Sequence, residues 1–120
     1  MADRIDIAHE IDTFRTCAIR KGDFAATIAF ERQLYAGMAD AYQKLMRAGG
    51  EGQRASKVLL KDENVYVRSW AATQLLAQKD NDARAAMQTL TKTPGRMGES
   101  ARATLEADAK GQLQAPFSTQ

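Results

Sequence analysis

The apolar residues of this chain recur at intervals of three and four, which is typical of amphipathic α-helices. Ile7, Ile11 and Phe14 lie on one such stripe and predict a first helix over residues 3–21. A second helix is predicted over residues 24–48, with apolar positions on two of its faces. We therefore expect it to be the longest and most buried helix, packed between the first helix and the elements that follow.

The most regular pattern begins after this helical pair. A third helix, predicted over residues 51–61, ends in two leucines and is followed by a polar corner, residues 62–64. The fourth helix carries apolar residues four apart on one face: Val67, Ala71 and Leu75. Because the corner allows only a tight turn, the two helices should form a hairpin. Asp62 or Asn64 can cap the fourth helix.

The hairpin pattern returns 30 residues further along the chain. The equivalent pairs are Leu60 and Leu90, Val67 and Met97, Ala71 and Ala101, and Leu75 and Leu105. Gly98 stands where the first copy has Arg68, and such irregularity is common in a terminal repeat whose outer face meets water. The second copy predicts a fifth helix and a sixth, the latter over residues 96–110.

Together these elements predict a single all-α domain over residues 1–111, as expected for a chain of 120 residues. It divides into an N-terminal helical pair, residues 1–48, and two helical hairpins, residues 51–110. Residues 112–120 show no periodicity, so we expect a frayed C-terminal tail.

Four features carry a resemblance to a known family: the helix before Gly49-Gly50, the Val67-Arg68 hairpin with Ala71 and Ala72, the Ala83/Leu90 helix and the Gly98/Ala101/Leu105 helix. Over roughly residues 25–107 the chain resembles a small bacterial family catalogued as domain of unknown function 2019. The resemblance implies a short HEAT-like alpha-alpha superhelix of five to six helices. It brings no activity, cofactor or catalytic residue.

Composition and charge narrow the classes of function. The chain has 17 basic and 15 acidic side chains, so no global field favours nucleic acid or an anionic membrane. Its one cysteine, Cys17, excludes an internal disulfide and suits a reducing compartment. Charges interrupt every apolar run, which argues against a signal peptide or a membrane span. We expect a cytoplasmic protein.

No set of residues indicates catalysis. His9 is the only histidine, and the carboxylates near it are better explained as a solvated helix face than as metal ligands. Cys17 is expected to be an inert thiol, because no base is placed to lower its pKa. The glycines of residues 49–52 lack the lysine and the strand of a phosphate-binding loop. We therefore expect a non-enzymatic protein without cofactor or metal.

Tyr66 and Trp70 lie four apart on the fourth helix, where helical repeats more often have small or polar residues. Either they pack against the second helix, or they form an exposed aromatic pair that binds a partner. With Thr73 they are the candidate partner-binding residues. The leading hypothesis is a protein-interaction module, immunity-protein-like or regulatory, that binds along the groove of the fourth and sixth helices. Its partner and its state, monomer or homodimer, are left open.

The alternative function is nucleic-acid binding. Arg54, Lys57 and Lys61 are spaced three and four apart and form one basic helix face. Three charges are few for phosphate-driven affinity, so a solvated face is the favoured interpretation.

Asp62, Val67 and Arg68 are assigned structural roles. Val67 faces the predicted core. Arg68 can reach back to Asp62 or across to Asp80 or Asp82, where it would bridge the two hairpins.

Overall fold

In a computed structural model of the chain, the residues described are 4–23 and 28–117. Within these ranges all regular structure is helical, which confirms the predicted all-α fold. The elements are α1 (Ile7–Asp23), α2 (Ile28–Arg47), α3 (Gly50–Val58) followed by a 3-10 turn (Leu59–Lys61), α4 (Val65–Ala77), α5 (Asn81–Leu90) and α6 (Arg96–Ala109).

The N-terminal helical pair packs differently from the prediction. At 20 residues α2 is the longest described helix, but it does not separate α1 from the hairpin, because α1 contacts both α3 and α4. Phe14 and Ala18 of α1 are fully buried in the core of these contacts. Side chains of α2 still reach α4, where the rings of Tyr35 and Trp70 meet at 5.9 Å. Both helices of the pair therefore face the hairpin.

Side-chain caps determine where α4 begins in the first hairpin and where α5 begins in the second. The Asn64 side chain accepts hydrogen bonds from the backbone N–H groups of Tyr66 and Val67 at the start of α4. Asp80 accepts from the N–H of Ala83 at the start of α5. Each carboxylate or amide oxygen satisfies donors that the first helical turn leaves unpaired.

The positions that recur after 30 residues face the core in both copies. In the first copy Leu60, Val67, Ala71 and Leu75 are at most 7% exposed. In the second copy Leu90 and Ala101 are buried, whereas Met97 and Leu105 are partly buried and pack against the same core. The predicted repeat therefore corresponds to two equivalent apolar faces.

Gly98 is buried, so exposure of a terminal repeat does not explain why it replaces the arginine of the first copy. A Cβ atom at this position would lie 2.1 Å from the carbonyl oxygen of Thr93 and 3.0 Å from that of Thr91. The preceding turn approaches α6 so closely that only glycine fits.

Residues 112–117 differ from the expected frayed tail. They have no helix, but Phe117 is 1% exposed and belongs to the core. Leu113 packs against the same core. A single buried aromatic residue in an irregular segment leaves no periodic signal, so the sequence pattern did not show it. Residues 118–120 lie outside the described part of the chain.

Candidate functional site

The corner between the first two hairpin helices is organised by Asp62. Its carboxylate accepts hydrogen bonds from Nε (2.6 Å) and Nη2 (3.3 Å) of Arg15 in α1, and from the Asn64 N–H at 2.9 Å. Burial raises the pKa of the Asp62 carboxyl, but the bonds from Arg15 and Asn64 outweigh burial, so this pKa lies below its ordinary value. Asp62 thus ties α1 to the corner, a link that the sequence pattern did not indicate.

Arg68 reaches back to the corner, as one of the two predicted arrangements requires. Its Nη1 donates to the backbone carbonyl oxygens of Asp62 at 2.7 Å and Glu63 at 3.2 Å, rather than to a carboxylate. The predicted bridge between hairpins exists, but a different residue forms it. The Nζ atom of Lys57 lies 3.1 Å from a carboxylate oxygen of Asp80 and 2.8 Å from one of Asp82.

This bridge changes the basic face. Arg54, Lys57 and Lys61 are all exposed, as predicted. The hydrogen bonds that Lys57 donates to Asp82 and Asp80 raise the pKa of its ammonium, and the bond to Asp82 lowers the pKa of the Asp82 carboxyl. Because two carboxylates surround the central charge, the face offers less positive potential to phosphates than its sequence indicates. The geometry adds no support to the nucleic-acid alternative.

A groove of about 570 Å³ lies between α4 and α6, beside residues of α1 and α2. It is lined by Lys21, Glu31, Val65, Tyr66, Trp70, Thr93, Pro94, Arg96, Met97 and Ser100. Tyr66 and Trp70 therefore lie on the surface that the sequence analysis favoured. Thr73 does not line this groove; its hydroxyl is partly buried and donates to the Ser69 carbonyl at 2.8 Å.

Trp70 combines the two roles that the sequence left as alternatives. It is partly buried and packs against the core, while one part of it borders the groove. Its ring lies 5.9 Å from that of Tyr35, edge to face, and 5.7 Å from that of Phe117. The Lys21 ammonium lies 5.7 Å from the Trp70 ring centroid, within the range of a cation–π contact. The indole is therefore held in place from several sides.

Phe117 occupies what we call the aromatic cage, formed by the rings of Phe14, Tyr35, Tyr42 and Trp70. The ring centroids of Phe117 and these four residues are 5.4–5.8 Å apart. Such separations are typical of favourable aromatic pairs. No sequence pattern indicates these contacts, because they join four separate parts of the chain.

Hydrogen bonds hold the backbone of the same segment. The N–H of Phe117 donates to Oε1 of Gln74 at 2.7 Å, and Nε2 of Gln43 donates to the Phe117 carbonyl at 2.9 Å. The hydroxyl of Tyr35 donates to the Pro116 carbonyl. Gln74 is fully buried, so its hydrogen bond with Phe117 lies inside the core, where polar groups need such partners.

A polar pocket of about 490 Å³ lies around Tyr42, Ser56 and Gln78. Its groups pair with their neighbours: Gln78 Nε2 donates to the Tyr42 hydroxyl at 3.1 Å, and the Ser56 hydroxyl donates to the Gln53 carbonyl at 2.8 Å. Burial raises the pKa of the Tyr42 hydroxyl. These residues place no base beside a nucleophile.

The two residues considered for redox or metal chemistry lie apart from these pockets. His9 is exposed on α1, and residues 4–23 and 28–117 contain no group of three or more His, Cys, Asp or Glu side chains suited to a metal. Cys17 is partly buried, and burial raises the pKa of its thiol, which opposes nucleophilic reactivity.

Comparison with known proteins places the chain in a family. The sequence profile of one domain family matches residues 11–114. The chain belongs to DUF2019, a domain of unknown function. The match confirms the predicted family, while its bacterial origin and HEAT-like arrangement stay predictions. No curated protein and no solved structure matches the chain. The description of this family names no activity. Among the helices of the described ranges, none combines the length and apolar character needed to cross a bilayer.

Proposed function

We propose that this DUF2019 chain is a non-enzymatic protein-interaction module that binds a partner in the groove between α4 and α6. The supporting observation is the groove itself, where Tyr66, Trp70 and Met97 border a shared open space. Aromatic residues, methionine and arginine are enriched at protein interfaces. This composition supports a docking surface more than a solvated helix face.

The lining also indicates the chemistry of the partner. The cations of Lys21 and Arg96 border the groove together with one carboxylate, that of Glu31. Glu31 lies 3.9 Å from Lys21, so Arg96 carries the uncompensated charge of this set. A fitting partner would present an apolar side chain towards Met97 and a carboxylate towards Arg96. Charge complementarity of this kind sets orientation and association rate more than affinity.

We extend the proposal to the arrangement of the helices and the cellular setting. The two hairpins form a short HEAT-like superhelix, a proposal supported by the equivalent apolar faces of the two copies. Such repeats offer extended surfaces for partners. A bacterial, cytoplasmic protein fits the family resemblance and the single free cysteine, Cys17.

Site-specific photo-crosslinking in the cell of origin tests the groove. A photoreactive phenylalanine analogue in place of Tyr66 keeps an aromatic ring at the groove wall, and the matched control carries it at the exposed Arg47 of α2, which does not line the groove. We expect a distinct crosslinked species from position 66 and none from position 47. Arg96→Glu should weaken that crosslink and Arg47→Glu should leave it unchanged. Identical crosslinks at positions 66 and 47 would refute the groove assignment.

A further inference from the structure

The segment that carries Phe117 is attached to the domain by Leu113, which packs against the core, and by its tip, residues 116–117. Residues 112–115 have no regular secondary structure and leave α6 through Gly111, whose φ of +70° is in the left-handed region. The Gln112 N–H donates to the Ala107 carbonyl at 2.8 Å, back towards the end of α6. The bonds that reach α2 and α4 are made at Pro116 and Phe117.

At this tip, the domain contacts both the ring and the backbone of the segment. The aromatic cage surrounds the Phe117 ring, while Gln74 accepts from its N–H and Gln43 donates to its carbonyl. Tyr35 donates to the carbonyl of the preceding proline. Hydrogen bonds to the main chain together with a pocket for one side chain are a common basis of peptide recognition. Gln74 is 0% exposed, so the polar contact is built into the core.

We propose that the aromatic cage, with Gln43 and Gln74, is a binding site for a short peptide that carries Pro-Phe in a turn, as residues 116–117 do. Residues 113–117 of the same chain fill it as a detachable latch. Opening the latch breaks the core contacts of Leu113 and Phe117 and the hydrogen bonds at its tip, and leaves the backbone hydrogen bonds of the six helices intact. The latch should therefore open below the free energy of global unfolding, as a separate cooperative unit.

The latch should also affect the shape of the groove, an inference that rests on the proposed function. Trp70 is a wall of the cage and a wall of the groove. When Phe117 leaves, Trp70 loses one of its ring partners and faces an empty space inside the cage. The surroundings of a vacated core position relax partly into it, so the indole should shift towards the cage and away from the groove. Occupancy of the cage thus sets the shape of the partner surface.

A peptide added in trans tests the binding site. The full-length Phe117→Ala variant has an unfilled cage, and Trp70, the only tryptophan, reports on it by fluorescence. We expect a synthetic peptide with the sequence of residues 112–120 to bind this variant and to return the emission to that of the wild type. A control peptide with Ala at the Phe position should bind at least about tenfold more weakly. Equal binding of the two peptides, or none of either, overturns the proposal.

Hydrogen exchange of the wild type tests the latch without any variant. The Phe117 N–H, bonded to Gln74, should exchange at least about tenfold faster than the N–H of the buried Leu76 in α4, because it opens locally. Gln43→Ala should accelerate exchange at Phe117 and leave Leu76 unchanged. Equal rates at both amides in the wild type would mean that the segment opens only by global unfolding, and would overturn the latch.

These outcomes are independent of the partner experiment. The peptide and the exchange measurement use only this chain, so they can succeed even if photo-crosslinking at position 66 captures nothing. Conversely, a specific crosslink at position 66 would stand if the peptide failed to bind. The step from latch to groove is tested by the methyl NMR signal of Met97, which lines the groove. It should shift in Phe117→Ala and return when the peptide is added; an unchanged signal overturns the coupling.

Discussion

The ion pair of Arg15 and Asp62 should determine how firmly α1 is held to the hairpin corner. It has two hydrogen bonds, of 2.6 and 3.3 Å, and joins residues 47 positions apart. The Arg15 side chain is 30% exposed and that of Asp62 is 12% exposed. Asp62→Asn removes the charge at nearly constant volume, and Arg15→Met removes the partner while keeping most of the aliphatic stem.

The expected magnitude follows from this partial burial. Exposed ion pairs contribute about 0–1 kcal/mol, and hydrogen bonds to charged groups about 1.5–3 kcal/mol. Because the Arg15 side chain is 30% exposed and that of Asp62 is 12% exposed, solvent partly screens the pair, and we expect Asp62→Asn to cost about 1–2 kcal/mol. For a chain of this size that corresponds to a Tm decrease of roughly 4–8 °C.

Chemical denaturation of both single variants and the double variant gives the coupling energy. We expect about 1 kcal/mol between Arg15 and Asp62. The control pair is Glu106 and Lys110, four residues apart at the C-terminal end of α6, with side chains 67% and 59% exposed. Its coupling should not exceed about 0.5 kcal/mol. If the two pairs showed the same coupling, the view that Asp62 anchors α1 would be wrong.

Two further predictions concern stability. Gly98→Ala should unfold the domain or lower its Tm far more than Gly111→Ala, as thermal melts of the two variants would show. A Cβ at position 98 would lie 2.1 Å from a backbone carbonyl oxygen, whereas a Cβ at position 111 meets open space and is opposed only by the positive φ. Asp108 pairs with Lys79 at 3.1 Å and Arg84 at 3.0 Å. The bond from Lys79 is the main reason that the pKa of the Asp108 carboxyl lies below its ordinary 3.8. Because the pKa of Asp108 is lower in the folded protein than its ordinary value, the ion pairs of Asp108 stabilise the fold at any pH above that ordinary value. This stabilisation is lost as the pH falls through the folded pKa. Asp108→Asn should therefore flatten the acid limb of a Tm-versus-pH curve, and an unchanged limb would contradict this assignment.

The sequence predicted those parts of the fold that depend on a local period. Val67, Ala71 and Leu75 are buried as their spacing required, because residues four apart share one face of a helix. The cap at Asn64 was one of two predicted candidates, since its effect is confined to the next turn. Periodicity cannot place one helix against another, which is why α2 was wrongly set between α1 and the hairpin.

The candidate site was only partly predictable, because most of its contacts join distant parts of the chain. The ring of Phe117 contacts that of Phe14 although the two residues lie near opposite ends of the chain, and no spacing rule relates their positions. One missed feature did have a signal. Glycines three apart occur at the start of both α3 and α6, and a Cβ at Gly52 would lie 1.7 Å from the Leu45 carbonyl oxygen, as at Gly98. That repeated pair of glycines could have indicated close backbone contact.

The double role of Trp70 determines which experiments can be interpreted. Trp70→Ala would remove a groove wall, but it would also remove a ring that contacts both Phe117 and Tyr35, so a lost partner could simply reflect a damaged core. Tyr66 borders the same groove and makes no ring contact within the described residues. A change at Tyr66 therefore tests the surface with less effect on the packing beneath it. If a substitution at Tyr66 leaves partner binding unchanged while Phe117→Ala alters it, the cage rather than the groove is the recognition site.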